Sequence, residues 1–174
     1  MTPGAVPEMA KGSRRRWLLP AAVAAALVVI AAAVVVVLFA VKGGNGPGDQ
    51  FERAAKAFHD VYTPTSKDMT EKLKLAAGGG FGDTSYTEAT SDARKLGDAF
   101  DAYGKAVRAI QVPAGAKPAA EELGKATDAG KLIMVNSAAF FSAAQMQATL
   151  DQYRPQVEAL VAKAEESLRA ALAS

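Results

Sequence analysis

The sequence predicts an all-α protein, with one N-terminal transmembrane helix followed by an antiparallel, up-down-up-down four-helix bundle. Three observations carry this. Residues 17–41 contain no charged side chain. Four later segments repeat apolar residues at steps of three and four, the period of a helix that buries one face. No stretch alternates apolar and polar residues as a half-buried strand does.

The first element is the apolar run from Trp17 to Val41. At about 1.5 Å per residue, a helix of this length exceeds the ~30 Å hydrocarbon core of a bilayer. Lys11, Arg14, Arg15 and Arg16 precede it against a single acid, Glu8. Basic residues stay on the cytoplasmic side, so residues 1–16 read as a cytoplasmic tail and the remainder as extracytoplasmic, at the plasma membrane. Arg14, Arg15 and Arg16 set that topology, and Trp17 suits the headgroup layer. Pro20 falls in the first turn of the span, where its missing N–H costs least. The rival reading is a cleaved signal peptide, but the run is longer than the ~7–15 residues of such a core, and Val41-Lys42-Gly43 is a poor cleavage site. With no cysteine in the chain, lipidation at cysteine and disulfides are both excluded. Small residues four apart (Ala21/Ala25, Ala22/Ala26) allow close helix approach, which admits a homodimer or docking to another membrane helix.

Residues 42–49 are glycine-rich, carry only Lys42 and Asp49, and read as a short flexible tether. The bundle domain then occupies residues 50–174, long enough for one real core. The chain has 20 basic and 18 acidic residues; removing the tail leaves 16 and 17 beyond it. The outer region is therefore near neutral, and nothing in it suggests a nucleic-acid partner.

In the first bundle helix the apolar positions are Phe51, Ala55, Phe58, Tyr62, Thr65, Met69, Leu73 and Ala76. Pro64 interrupts this segment. Because the apolar phase continues across it, one kinked helix is favoured over two helices with Thr63 as a cap. Glycines 78–80 and Gly82 close it with a turn. The second helix has an unbroken heptad seam of Tyr86, Ala89, Ala93, Leu96, Phe100, Tyr103, Val107 and Ile110, with Ser85 to Glu88 as its capping box and Val112-Pro113 as its end. A third is suggested by Ala119, Leu123, Ala126, Leu132, Ile133 and Phe140, weakened by Gly124 and Gly130, with Asn136-Ser137 as the break. The last follows Leu150, Tyr153, Val157, Leu160/Val161, Ala164, Leu168 and Leu172, with Pro155 inside it. Alanines let the helices approach, while Phe51, Phe58, Phe100, Tyr103, Phe140 and Phe141 supply buried area.

Chemistry is scarce. His59 is the only histidine and there is no cysteine, which excludes Cys–His catalysis and paired-His zinc sites; next to core Phe58 it reads as a boundary or surface residue. The glycine cluster lacks the Gly-Lys-Ser/Thr of a phosphate loop, since Asp83 and Thr84 follow Gly82. Asp83, Glu88 and Asp92 lack calcium-loop spacing and complement the helix dipole instead. Asp98 and Asp101, with Lys95 and Lys105 near them, read as a solvated, salt-bridged face. No catalytic, cofactor or metal residue is expected.

Phe140-Phe141 differs from these. Adjacent helical residues point about 100° apart, so both cannot enter one seam. The pair either plugs the end of the bundle or leaves one ring exposed as a partner contact. The expected role is a non-catalytic interaction or scaffold module that meets the lipid bilayer and a membrane or envelope protein. The alternative is a small-molecule sensor acting through a separate membrane partner. The heavy use of Ala, Val and Gly resembles coding in a GC-rich bacterium, and no motif ties the chain to a family.

Overall fold

A computed structural model describes residues 46–78 and 82–174. Arg14, Arg15, Arg16, Trp17, the expected anchor 17–41 and most of the tether lie outside the described residues. Among the described residues no helix is long and apolar enough to cross a membrane. The described region holds four helices, α1 (Pro47–Ala77), α2 (Gly82–Ala109), α3 (Lys117–Ser137) and α4 (Ala143–Ala173), with a 3-10 turn at Ala114–Ala116 and no strand.

The helices form a closed ring in which each packs on its neighbour in sequence and α4 returns to α1. Cross-helix contacts give the directions. Glu52 meets Arg169 and Tyr62 meets Glu158, so α1 and α4 run oppositely. Lys72 meets Asp92 while Phe58 stacks on Tyr103, which opposes α1 and α2. Arg108 bonds the Gly124 carbonyl and Lys131 bonds Asp101, which opposes α2 and α3. The start of α1, the α2–α3 turn and the end of α4 thus share one end of the bundle. The α1–α2 and α3–α4 connections share the other.

The apolar seams build the core. On α2 the heptad positions from Ala89 to Ile110 are buried, and Tyr86 packs at their edge. Phe51, Phe58, Met69 and Leu73 of α1 face them. Phe58 sits at the centre of an aromatic cluster, 4.7 Å from the Tyr103 ring, 5.0 Å from Phe100 and 5.2 Å from Tyr62. Such pairs add about 0.5–1.5 kcal/mol each beyond the area they bury.

Pro64 and Pro155 lie inside α1 and α4 without ending either. Both prolines are exposed, as are Asp60 and Asp151 four residues earlier, so the carbonyls left without an N–H partner face water. This supports the single continuous helix over two helices capped at Thr63.

Several expectations need correction. Helix α1 begins at Pro47, so 47–49 belong to it rather than to the tether; Pro47 at the first position is pre-set for a helix start. Helix α2 begins at Gly82, which puts Ser85 inside it and buried, so Ser85 to Glu88 is no capping box. Phe140 lies beyond the end of α3, and Phe141 is exposed rather than a core filler. Leu132, Tyr153 and Leu160 are exposed, because Met134 and Val157 take the inward positions nearby.

Of the two α3 glycines, Gly130 is a close-approach point rather than a simple weakness. A Cβ on Gly130 would lie 2.5 Å from the Phe100 ring. Gly104 on α2 makes the converse allowance, since a Cβ there would lie 2.6 Å from Thr127 Oγ1. Glycine is what admits the buried Phe100 ring and Thr127 hydroxyl between the backbones of α2 and α3.

Candidate functional site

Polar chemistry concentrates on the seam between α1 and α4, the sparsest of the four helix contacts. On α4 the buried stripe runs Val157, Val161, Ala164 and Leu168, and Glu165 falls on it, only 4% exposed. A carboxylate taken out of water needs partners to offset its lost hydration. Glu165 has one from the adjoining helix α1 and one from α2 across the bundle. Tyr103 of α2 donates its hydroxyl to Oε1 at 2.7 Å, and His59 Nε2 of α1 lies 3.1 Å and 3.2 Å from the two oxygens. Arg169, one turn along α4, stands 3.6 Å away and bonds Glu52 at 2.7 Å, with its guanidinium over the Phe51 ring.

The protonation of this cluster follows from its surroundings. The Glu165 hydrogen bond holds His59 above its ordinary value, against an opposing push from burial. Burial drives Glu165 upward, but the hydrogen bonds from His59 and Tyr103 outweigh it and hold the carboxyl below its usual range. Tyr103 is pushed up strongly, first by burial and then by the adjacent carboxylate. The arrangement is therefore Tyr–OH, Glu⁻ and a histidine that protonates readily. Tyr103 is 0% exposed and both carboxylate oxygens are engaged, which leaves His59 as the solvent-facing member of the three. It acts as a latch joining three helices.

A second polar group follows beyond Tyr62. Tyr62 donates to Glu158 Oε1 at 2.6 Å, and Arg154 Nη1 donates to Thr70 Oγ1 at 2.8 Å and Ser66 Oγ at 3.3 Å. On the α1–α2 side, Lys72 bonds the buried carboxylate of Asp92 at 2.6 Å, and Lys95 bonds its other oxygen at 2.8 Å.

Phe140 and Phe141 sit at the end shared by the α1–α2 and α3–α4 connections. Phe140 is half-buried against the core, and its carbonyl accepts the Tyr86 hydroxyl. Phe141 is 98% exposed. The chain turns between them, since α3 ends at Ser137 and Ser142 caps α4 by accepting from Gln145 N at 3.3 Å. The pair thus divides into an anchored ring and a free one.

His59 is half-exposed, as a boundary residue should be, but its partner lies 106 residues away and was not foreseen. The available signal was an acid on an apolar stripe, with Glu165 four residues after Val161 and three before Leu168. Asp101 pairs with Lys105 at 2.6 Å as the salt-bridged face predicts, and adds Lys131 of α3; Lys95 turns to Asp92 instead. Among the described residues, no group of three His, Asp or Glu side chains is placed to hold a metal ion. Comparison with protein-family models, characterised proteins and solved structures gave no match.

Proposed function

We propose that this chain is a membrane-anchored, extracytoplasmic interaction module that holds a protein partner through the bundle end carrying Phe141, and that it catalyses no reaction. The uncharged run 17–41 behind Arg14, Arg15 and Arg16 supports the anchor and its orientation. The observation that carries the reading is the 98% exposure of Phe141 beside its anchored neighbour. A fully exposed aromatic held by an ordered turn offers a large apolar contact at low entropic cost. Its place fits the role. Helix α1 has 31 residues, so the far end stands about 46 Å from the helix start if the bundle is upright. Phe141 then points away from the bilayer, towards other envelope proteins.

The test is a photo-crosslinking residue at position 141 of the full chain in native membranes, with mass spectrometry of the products. One stoichiometric partner is expected, with its capture by the intact protein lost in Phe141→Ser. The same partners in the same amounts from Phe141→Ser would remove the tip from the interaction. A second reading, a ligand sensor acting through a separate membrane subunit, is favoured by the polar groove on the α1–α4 seam.

A further inference from the structure

Arg154 is the informative cation of this bundle. Its side chain is 24% exposed, yet its two close partners are the neutral hydroxyls of Ser66 and Thr70. Its Nε is sealed from solvent without an acceptor. The nearby carboxylate, Glu158 Oε1, is 3.7 Å from that nitrogen and already accepts the Tyr62 hydroxyl at 2.6 Å. Lys72, exposed to the same degree, is treated differently, with the Asp92 carboxylate at 2.6 Å. Arg154 borders a solvent-open groove of ≈ 540 Å³ between α1 and α4. Exposed Lys67 and Lys74 line the same groove, against Glu71 and the committed Glu158. The volume lies in the usual range for small-molecule sites.

The geometry points to this groove as a binding site for the oxyanion group of a small ligand, a phosphate or carboxylate, with Arg154 as the primary contact and Lys67 and Lys74 as outer ones. A guanidinium held in place by two hydroxyls loses little freedom on binding, and with Nη1 on those hydroxyls and Nε sealed, Nη2 is the nitrogen left to donate to such a group. The hydroxyl contacts fix the side chain without neutralising it. Two sources offer this chemistry, a soluble anion and a lipid headgroup. Thr70 lies 23 residues beyond the start of α1, about 35 Å along the helix. That distance selects the soluble source. The choice of source rests on the anchor reading of residues 17–41; the site itself does not.

The test uses the full chain in phosphatidylcholine nanodiscs, titrated with inorganic phosphate against chloride at matched ionic strength, with thermal unfolding followed by circular dichroism. A saturable rise in melting temperature is expected with phosphate. Arg154→Gln is expected to raise the half-saturating concentration about tenfold, the loss of one charge-assisted contact. The pair Lys67→Gln/Lys74→Gln, at exposed positions, is expected to raise it about threefold. Equal shifts with phosphate and chloride overturn the site, as does unchanged half-saturation in Arg154→Gln. If Arg154→Gln does not fold, unchanged half-saturation in the lysine pair overturns it. Repeating the titration in phosphatidylglycerol nanodiscs separates the sources. Equal half-saturation supports a soluble ligand, and a weaker response through competition overturns that assignment.

Discussion

Helix α1 presents two unlike faces. Towards α2 it gives Phe58 to an aromatic cluster of Tyr62, Phe100 and Tyr103, an apolar seam closed by ring contacts. Towards α4 it gives Glu52, His59, Tyr62, Ser66 and Thr70, a seam closed by hydrogen bonds and ion pairs. The ring contacts of the first gain their stability from buried area and carry no charge to titrate, with the Lys72–Asp92 pair standing apart from them further along the seam. The second offsets the cost of a buried carboxylate with specific partners, and responds to protonation. One helix thus welds to one neighbour and latches to another.

The sharpest way to break the contrast is Phe100→Ala. It removes a ring in contact with Phe58 and Tyr62 and leaves a cavity, for an expected loss of about 3–5 kcal/mol with the same loss at pH 5.5 and 8.5. Urea titration of the full chain in mild detergent measures it, and a loss under 1 kcal/mol would mean that the cluster is not what holds α1 to α2.

Gly130→Ala comes next. Its methyl group would press on the Phe100 ring at 2.5–2.7 Å, and that ring is enclosed, so overpacking should cost about 1–3 kcal/mol. Gly124→Ala is its control. There the nearest atoms are the end of the Arg108 side chain at 3.3 Å, which can move, so the helix gain of up to about 1 kcal/mol should survive. Variants that shift the urea midpoint in the same direction would contradict the packing account.

The smallest effect is the pH response of the latch. His59 is raised above its ordinary 6.5, so its contribution is complete below 6.5 and is lost as pH rises through the higher folded value. Glu165 is lowered beneath its ordinary 4.5, so its contribution is present above 4.5 and is lost as pH falls through the lower folded value. Together they contribute most between about pH 4.5 and 6.5. His59 is half-exposed, so solvent screening limits its share to about 0.2–1 kcal/mol. His59→Gln should flatten the decline in stability between pH 6 and 8.5. An unchanged slope in that variant would assign the decline to other groups.

The welded face was the legible one. From Ala89 to Ile110 each apolar residue of the α2 heptad is followed by the next on the same side, and local periodicity suffices to place it. Partners across the chain were not legible. Gly130 reads as a weak helix residue until the Phe100 ring is seen against it, and His59 reads as a surface residue until Glu165 is seen beneath it. Periodicity tells which side of a helix is inside, and says nothing about which residue of another helix stands opposite. The start of α2 was misread for a related reason. Ser85 to Glu88 has the chemistry of a cap, but Gly82 permits the helix to begin one turn earlier. Phe140 and Phe141 were read as helical neighbours that cannot share a seam, but both lie between helices, and the turn after Ser137 leaves Phe141 outside.

The two prolines have a mechanical consequence. Arg154, which precedes Pro155, bonds Ser66 and Thr70, just beyond Pro64. The prolines therefore stand within about a turn of the same height on adjoining helices. Each deletes one rung of its helix's hydrogen-bond ladder. The α1–α4 wall is most compliant at that level, while α2 carries no proline, α3 carries none beyond its first turn, and both keep a continuous spine. For α3 the only proline, Pro118, is at its first turn, where no rung is lost. A sideways load on Phe141 is then taken up as a bend of the α1–α4 wall.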